Sequence, residues 1–169
     1  MVSGVGELLV SMLLVGIGAT IVMDLWALLL KHGFAIASLD YAMVGRWIGH
    51  LPRGRLVHAG IGRTDAIPGE KAIGWLAHYA IGVVFAGLLL TVVGPDWLRH
   101  PTPLPALVFG VVSLVAPFFI LQPGLGAGIA ARKTPNPGIA RLRSLAAHLA
   151  FGAGLYVSAL LIRALGWVA

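Results

Sequence analysis

The chain has 169 residues, of which 59% are hydrophobic and 11% are charged, whereas soluble domains contain about 45–50% apolar and about 25% charged residues. So few polar residues cannot cover the surface of a soluble domain of this length, and the composition therefore predicts an integral membrane protein. The absence of cysteine excludes disulfide frameworks, thiolate metal sites and cysteine nucleophiles.

Four long apolar runs predict four membrane-spanning helices, because about 18 apolar residues in sequence suffice to cross the hydrocarbon core. They cover approximately residues 8–30, 72–93, 104–121 and 145–162. We expect an all-α fold, an integral membrane four-helix bundle that forms a single transmembrane domain over residues 1–169. The first run is longer than the apolar core of a signal peptide, about 7–15 residues, so it is predicted to be retained as a helix.

The third and fourth runs have features that modify their predicted helices. Pro117 lies inside the third run. A proline ring blocks the helical hydrogen bond to the carbonyl four residues earlier, so the carbonyl of Ser113 is predicted to lack its helical donor. The fourth run is expected to extend back toward Ile139, because the long side chains of Arg141 and Arg143 can reach the membrane interface.

The distribution of basic residues predicts the orientation of the four helices. Segments 31–71 and 122–144 carry ten of the twelve Lys and Arg residues, namely Lys31, Arg46, Arg53, Arg55, Arg63, Lys71, Arg132, Lys133, Arg141 and Arg143. The other side has only Arg99 and Arg163. The positive-inside rule therefore places both segments in the cytoplasm and both termini outside. The basic residues then indicate contact with the lipid bilayer and its anionic headgroups on the cytoplasmic side, and no nucleic-acid partner is expected.

The long segment 31–71 is predicted to contain an amphipathic helix over about residues 39–50, capped by Ser38 or Asp40. Its apolar positions recur at spacings of three and four and are Leu39, Met43, Val44, Trp47, Ile48 and Leu51. Two placements are open: the helix lies in the membrane interface, or it packs as a cap over the mouth of the bundle. In either case Arg46, His50 and Gln122 are candidate mouth residues. The loop histidines, His50 and His58 included, are expected to be solvated rather than to act as ligands, although His50 and His58 could reach the cytoplasmic mouth of the bundle.

The segment 122–144 begins with alternating glycines, Gly124, Gly126 and Gly128, and continues with Arg132 and Lys133. Such a segment can expose backbone N–H groups to an anion, so a phosphate or lipid headgroup contact is one interpretation. The other is a flexible exit from the third helix. The sequence matches neither the phosphate-binding loop nor the dinucleotide-binding pattern.

Three ionisable side chains fall inside the apolar runs: Asp24, His78 and His148. Asp24 and His78 each lie six residues from the cytoplasmic end of their runs, about 9 Å in, and His148 lies roughly 5–8 Å in. Small residues recur every four positions on the same helix faces, which is typical of close helix packing. These faces are Gly16-Thr20-Asp24, Gly74-His78-Gly82-Ala86 and Ser144-His148-Gly152. We therefore predict a buried Asp24–His78–His148 cluster.

Several functions fit such a cluster. The leading hypothesis is proton or small-solute movement, because intramembrane ionisable residues mark such pathways. One alternative is a structural or assembly subunit of a larger membrane complex, or a homo-oligomer, in which the cluster fixes helix packing. Another is a metal or haem site, with the two imidazoles as ligands and Asp24 assisting. No cofactor is predicted over the others, and the chain shows none of the familiar catalytic motifs of a membrane enzyme, so no catalytic residues are assigned.

Four strings in the sequence carry a family resemblance: Met23–Trp26, Gly45–Gly54, Gly74–Tyr79 and Gln122–Gly126. Together they resemble an uncharacterised family of small four-span bacterial inner-membrane proteins, known as a domain of unknown function. The resemblance covers nearly the whole chain. It implies a compact four-helix protein of the bacterial inner membrane, and it carries over no substrate, cofactor or catalytic residue.

Overall fold

The computed structural model describes residues 4–168, and over this range the regular structure is entirely helical. The helices are α1 (Val5–Phe34), α2 (Tyr41–His50), α3 (Glu70–Val93), α4 (Pro103–Val112), α5 (Gln122–Leu125) and α6 (Pro137–Ala164). Short 3-10 turns and one π-helical turn occur between them. The prediction of an all-α fold is confirmed.

Four helical stretches are long and apolar enough to cross a membrane: Val5–Phe34, Glu70–Val93, Pro103–Leu125 and Pro137–Ala164. The third consists of α4, the π-helical turn and α5. The predicted number of spans is confirmed. At most ends the helices are longer than the apolar runs, because the flanking residues, many of them polar, also adopt helical conformation. α6 begins at Pro137, which suits a helix start since its missing N–H would have no helical partner there.

The third stretch is irregular around Pro117, as predicted, but the Ser113 carbonyl still accepts a backbone hydrogen bond. The residues before Pro117 form a turn in which the N–H of Ala116 donates to the carbonyl of Ser113 at 3.1 Å. The five residues Pro117–Leu121 then form the π-helical turn. The prediction that the Ser113 carbonyl lacks a donor is therefore wrong, because the chain tightens before the proline and supplies a nearer N–H.

The chain divides into two compact units. Unit 1 comprises Met1–Ala37, Tyr79–Val112 and Ala147–Ala169, and unit 2 comprises Ser38–His78 and Ser113–Ala146. The single transmembrane domain over the whole chain stays a prediction.

Unit 1 has an apolar core drawn from α1, α3, α4 and α6. Its fully buried members include Val15, Ala19, Ala86, Leu89, Ala106, Leu155 and Ala159. Large apolar side chains on the same helices are exposed, as with Leu25 at 58% and Val92 at 78%. A helix with apolar residues on all faces is typical of a protein surrounded by lipid.

Small residues let the helices of unit 1 approach closely, as the four-residue spacing predicts. A Cβ added to Gly16 of α1 would lie 2.5 Å from the Cα of Val83 and 2.8 Å from the carbonyl oxygen of Gly82 on α3. A Cβ on Gly152 of α6 would lie 2.7 Å from the carbonyl oxygen of Ala106 on α4. These glycines are at helix–helix contacts that leave no room for a side chain, so the predicted seams are confirmed at these positions.

Unit 2 is organised around α2 and the start of α3. The amphipathic helix is confirmed, and it begins at Tyr41 because the side chain of Asp40 accepts a hydrogen bond from the N–H of Ala42 at 2.9 Å. Gly45 of α2 contacts the backbone of Glu70, and Gly74 of α3 contacts the carbonyl of Tyr41. α2 therefore packs directly on the first turns of α3.

The glycine-rich segment after α5 is folded and hydrogen-bonded, which differs from an open and flexible exit. The N–H of Ala127 donates to the carbonyl of Gln122 at 2.8 Å, and the N–H of Lys133 donates to the carbonyl of Ala127 at 2.9 Å. Gly126 has φ 96° and Gly128 has φ 74°, values in the left-handed region where glycine is favoured. The segment therefore makes a tight reversal that needs glycine at both positions.

We expect Gly16→Ala to lower the thermal stability of the purified protein in detergent. Alanine has the higher helix propensity, by about 0.8–1.0 kcal/mol, but its methyl group would meet the α3 backbone, and overpacking of this kind costs about 1–3 kcal/mol or more. The matched control is Gly33→Ala, since a Cβ there meets nothing within 4 Å among the described residues. A Gly16→Ala melting temperature equal to that of Gly33→Ala would contradict the close α1–α3 contact.

Candidate functional site

Asp24 is held by a tyrosine within unit 1. It lies ten residues before Phe34, the last residue of α1, which is about 15 Å along the helix at 1.5 Å per residue. The hydroxyl of Tyr79 on α3 donates to Oδ2 of Asp24 at 2.9 Å. Both side chains are partly buried. This bond provides the carboxyl group with a donor inside a membrane-spanning segment, where an unpaired polar group is costly.

His78 is also held by a tyrosine, within unit 2. The hydroxyl of Tyr41, the first residue of α2, lies 2.9 Å from Nε2 of His78. The two rings also stack at an angle, with centroids 4.3 Å apart, and the Trp75 ring lies 4.4 Å from the Tyr41 ring. The imidazole is therefore fixed by a hydrogen bond and by aromatic contacts.

His148 lies on α6 in unit 1. A Cβ added to Gly110 of α4 would lie 2.5 Å from the His148 carbonyl oxygen, so the backbone of α6 packs tightly on α4 at this position. The His148 side chain is partly buried. Direct contact among Asp24, His78 and His148 stays a prediction.

Metal binding was one of the interpretations of the Asp24–His78–His148 cluster. Across residues 4–168, no group of three or more His, Asp or Glu side chains is arranged to hold a metal ion. A metal or haem at this cluster stays a prediction, as do its ligands.

The sequence reasoning missed Tyr41 and Tyr79. It searched the apolar runs for ionisable groups and left aside the hydroxyl groups that can pair with them. A signal was available, because buried polar groups take hydrogen-bond partners and Tyr79 directly follows His78. The helical period does not identify which hydroxyl faces which acid, so the pairing itself required the structure.

Arg46, a predicted mouth residue, connects three parts of unit 2. Its Nε and Nη2 donate to the two carboxylate oxygens of Glu70, each at 2.8 Å. Its Nη1 donates to the carbonyl of Thr64 at 3.1 Å. Glu70 also accepts a hydrogen bond from the N–H of Ile67 at 3.1 Å. The hydrogen bonds with Glu70 raise the pKa of the Arg46 guanidinium. Arg46 thus joins α2, the loop after it and the first residue of α3.

The expectation that the loop histidines are solvated is wrong for His50, whose relative exposure is 2%. Its Nε2 lies 3.0 Å from the carbonyl oxygen of Asp65. His58 is partly buried, and its Nδ1 lies 3.1 Å from the carbonyl oxygen of Gly124. The loop folds back on α2 and α5, so both rings are enclosed by backbone that the sequence pattern does not bring near them.

Gln122 and the glycines that follow it have packing roles in unit 2. The Nε2 of Gln122 donates to Oγ of Ser144 at 3.2 Å. A Cβ on Gly124 would lie 2.5 Å from Nε1 of Trp47, and one on Gly126 would lie 2.7 Å from the carbonyl oxygen of His58. These close approaches explain the small residues. Binding of an anion or a lipid headgroup by Gly124, Gly126 and Gly128 stays a prediction.

Arg132 and Lys133 follow this segment and are exposed. Their stems lie against Gly128, since a Cβ there would be 2.9 Å from Cγ of each. The two charged groups therefore extend from a fixed backbone.

The model of the family described as "Protein of unknown function (DUF2938)" matches residues 13–162 of the chain. The chain belongs to this family. The match agrees with the resemblance found in the sequence, and it covers all or most of each of the four stretches that are long and apolar enough to cross a membrane. No curated protein matches the chain, and no solved structure matches it.

We expect Arg46→Lys to lower the melting temperature of this DUF2938 protein, because a lysine cannot reproduce the two parallel bonds to Glu70 and the third to Thr64. The matched control is Arg53→Lys, a change of the same kind at an exposed position in the following loop. Thermal unfolding in detergent measures both. Equal melting temperatures for the two variants would mean that the Arg46–Glu70 pair does not anchor the loop.

Proposed function

We propose that this protein moves protons across a bacterial inner membrane, alone or together with a small solute, and that Asp24 is the group that carries the proton. The observation that supports this most is the 2.9 Å hydrogen bond from Tyr79 to Asp24 in membrane-spanning helices. An ionisable group in such a position is costly to maintain and is a candidate functional residue.

The chemistry of the pair suits a group that gains and loses a proton. An ionised carboxylate accepts the hydrogen bond that the phenol of Tyr79 donates, whereas a protonated carboxyl can itself donate to the phenol oxygen. The pair therefore stays hydrogen-bonded in both protonation states. Asp24 can release its proton without leaving a buried polar group unpaired, which is the costly alternative.

His78 and His148 are proposed as further groups on the route. An imidazole has one nitrogen that donates and one that accepts, so it can receive and pass on a proton. The hydroxyl of Tyr41 lies 2.9 Å from Nε2 of His78 and holds the ring in position. His148 is proposed for the route because its sequence position predicts a depth in the membrane similar to that of Asp24 and His78.

The alternative of an assembly subunit has weaker support. Membrane helices associate through small residues that let their backbones approach. In unit 1 the predicted small-residue seams are already occupied within the chain, as Gly16 contacts Val83, Gly82 contacts Thr20 and Gly152 contacts Ala106. These helix faces are buried against other helices of the same chain, so they are not accessible to a partner helix.

Proton movement is tested with the purified protein in liposomes that carry an internal pH-sensitive dye. We expect the wild-type protein to collapse an imposed pH gradient faster than empty liposomes do. Asp24→Asn should reduce the rate to that of empty liposomes, because the amide does not ionise. Tyr79→Phe should lower the rate, because the carboxyl group loses its hydrogen-bond donor.

Two matched variants control for general damage. Asp96→Asn removes a carboxylate whose side chain is 81% exposed, and Tyr156→Phe removes a phenol from the edge of the unit 1 core. Both should retain the wild-type rate. Proton movement without a solute is rejected if the wild-type protein and empty liposomes are indistinguishable, and the role of Asp24 is rejected if Asp24→Asn keeps the wild-type rate.

The orientation is part of the same proposal. Ten of the twelve Lys and Arg residues lie in segments 31–71 and 122–144, and cytoplasmic loops of inner-membrane proteins carry such an excess. We infer that both segments are cytoplasmic, next to anionic lipid headgroups, and that both termini are outside. Arg132 and Lys133, exposed beside a fixed backbone, suit contact with those headgroups.

The orientation is tested by single-cysteine labelling, and the native chain contributes no background because it has no cysteine. We expect His100→Cys to react with a membrane-impermeant maleimide in intact spheroplasts. Ser38→Cys and Asn136→Cys should react only after the membrane is permeabilised. All three positions are exposed in the structure. The reverse pattern, or equal labelling of all three before permeabilisation, would overturn the orientation.

A further inference from the structure

Two histidines of unit 2 form a pair that the proposed function does not use. His50 is the last residue of α2, and His58 lies in the loop that follows. Their rings are 5.6 Å apart between centroids, with an angle of 63° between the ring planes. Residues separated by eight positions and a turn are thus brought side by side.

The backbone contacts of each ring define its tautomer. A carbonyl oxygen only accepts hydrogen bonds, so the ring nitrogen that faces it must carry the hydrogen. Nε2 of His50 therefore donates to the carbonyl of Asp65 at 3.0 Å. Nδ1 of His58 donates to the carbonyl of Gly124 at 3.1 Å. In the neutral rings this leaves a lone pair on Nδ1 of His50 and on Nε2 of His58.

Both of these nitrogens are buried, and neither has a hydrogen-bond partner among residues 4–168. A buried polar atom without a partner costs about 1–3 kcal/mol. Two such atoms on adjacent rings indicate that a ligand completes the site.

The surroundings of the pair resemble those of histidines that bind metal ions. Such a histidine almost always donates its second ring N–H to a carbonyl or carboxylate, which fixes the tautomer and aims the lone pair at the metal. Here the carbonyls of Asp65 and Gly124 accept those N–H groups. We propose that His50 Nδ1 and His58 Nε2 bind a late first-row transition-metal ion, with Zn²⁺ as the representative. Water or a small ligand would occupy its other positions.

The spacing of the rings agrees with a shared ion. At a Zn–N distance of about 2.0–2.1 Å, two imidazoles on one ion have centroids about 5–6 Å apart when the angle at the metal is tetrahedral or wider. The observed separation of 5.6 Å lies in this range. With two protein ligands the ion stays open to other ligands, as in sites where a metal is exchanged or binds a further molecule.

The carbonyls that orient the two rings are themselves held in place. Arg46 donates to the carbonyl of Thr64, next to Asp65, at 3.1 Å, and its charge is balanced by Glu70. Gly124 lies tightly against the indole of Trp47, and Trp47 donates to the carbonyl of Leu56, two residues before His58, at 2.9 Å. Both rings therefore rest on a fixed frame, as a binding site requires.

The test uses the full chain in detergent, purified without a histidine tag, and Zn²⁺ as the only probe. Isothermal titration should show about one Zn²⁺ per chain. In ¹⁵N-histidine NMR spectra, the signals of His50 Nδ1 and His58 Nε2 should move from the range of bare lone-pair nitrogens to that of metal-bound nitrogens. The other nitrogens of the two rings should keep their N–H signals.

Two variants remove the proposed ligands and retain the structural hydrogen bonds. In His50→Gln the side-chain amide replaces Nε2–H and can still reach the carbonyl of Asp65. In His58→Asn the amide replaces Nδ1–H and can still reach the carbonyl of Gly124. Each should weaken Zn²⁺ binding by at least about tenfold, since even the loss of an orienting partner has an effect of this size. His100→Asn, a change at an exposed loop histidine, should bind as the wild type does.

The inference is overturned if the wild-type protein binds no Zn²⁺, or if both variants bind it as the wild type does. Loss of binding in His100→Asn alone would place the ion on the surface and would also overturn it. The NMR result on the wild-type protein decides the question if a variant fails to fold, because bare lone-pair signals that do not respond to Zn²⁺ exclude the site. Proton flux does not enter these readouts, so the inference stands or fails separately from the proposed function.

Discussion

Inside the hydrocarbon of a membrane no water is available to an unpaired polar group, and much of unit 1 follows from this constraint. Its helices satisfy their own backbone, and the hydroxyl of Thr20 bonds back to the carbonyl of Gly16 on the same helix at 2.8 Å. Asp24 finds a donor in Tyr79. With Thr20 and Asp24 paired in this way, close packing of small residues can hold the helices together without a solvent-driven hydrophobic force.

In unit 2 polar groups are also paired, but by side chains that bind loop backbone, because much of its chain is not in long helices. There, side chains of α2 bind the backbone of loops: Arg46 binds the carbonyl of Thr64, Trp47 that of Leu56, and His50 that of Asp65. One amphipathic helix thus organises the connecting segment. Three of its side chains bind loop carbonyls, so α2 serves as an internal scaffold of unit 2.

The features predicted correctly from sequence are those that depend on the length, periodicity or spacing of residues along the chain. Apolar length predicted the four spans, and periodicity with Ser38 or Asp40 as cap predicted α2. Four-residue spacing predicted that Gly16 lies on a closely packed helix face. Sequence did not predict the burial of His50 or the tyrosine partners of Asp24 and His78. The burial of His50 depends on how residues 51–69 fold against α2, and the tyrosine contacts depend on which hydroxyl faces Asp24 and which faces His78. Periodicity in the sequence predicts neither arrangement. The irregularity of the helix at Pro117 was predicted, but the turn before it, in which the Ala116 N–H donates to the Ser113 carbonyl, was not.

The contact between His58 and Gly124 has a consequence for how the chain is made. The two residues are separated by 66 positions, and ribosomes add about 5–20 residues per second. The loop that holds His58 therefore waits about 3–13 s for its partner while the second and third membrane helices are synthesised. Arg46 and Glu70 are only 24 positions apart, so both are synthesised before Gly124 is added. The Arg46–Glu70 pair is therefore available to hold α2 against the start of α3 before the contact between His58 and Gly124 can form.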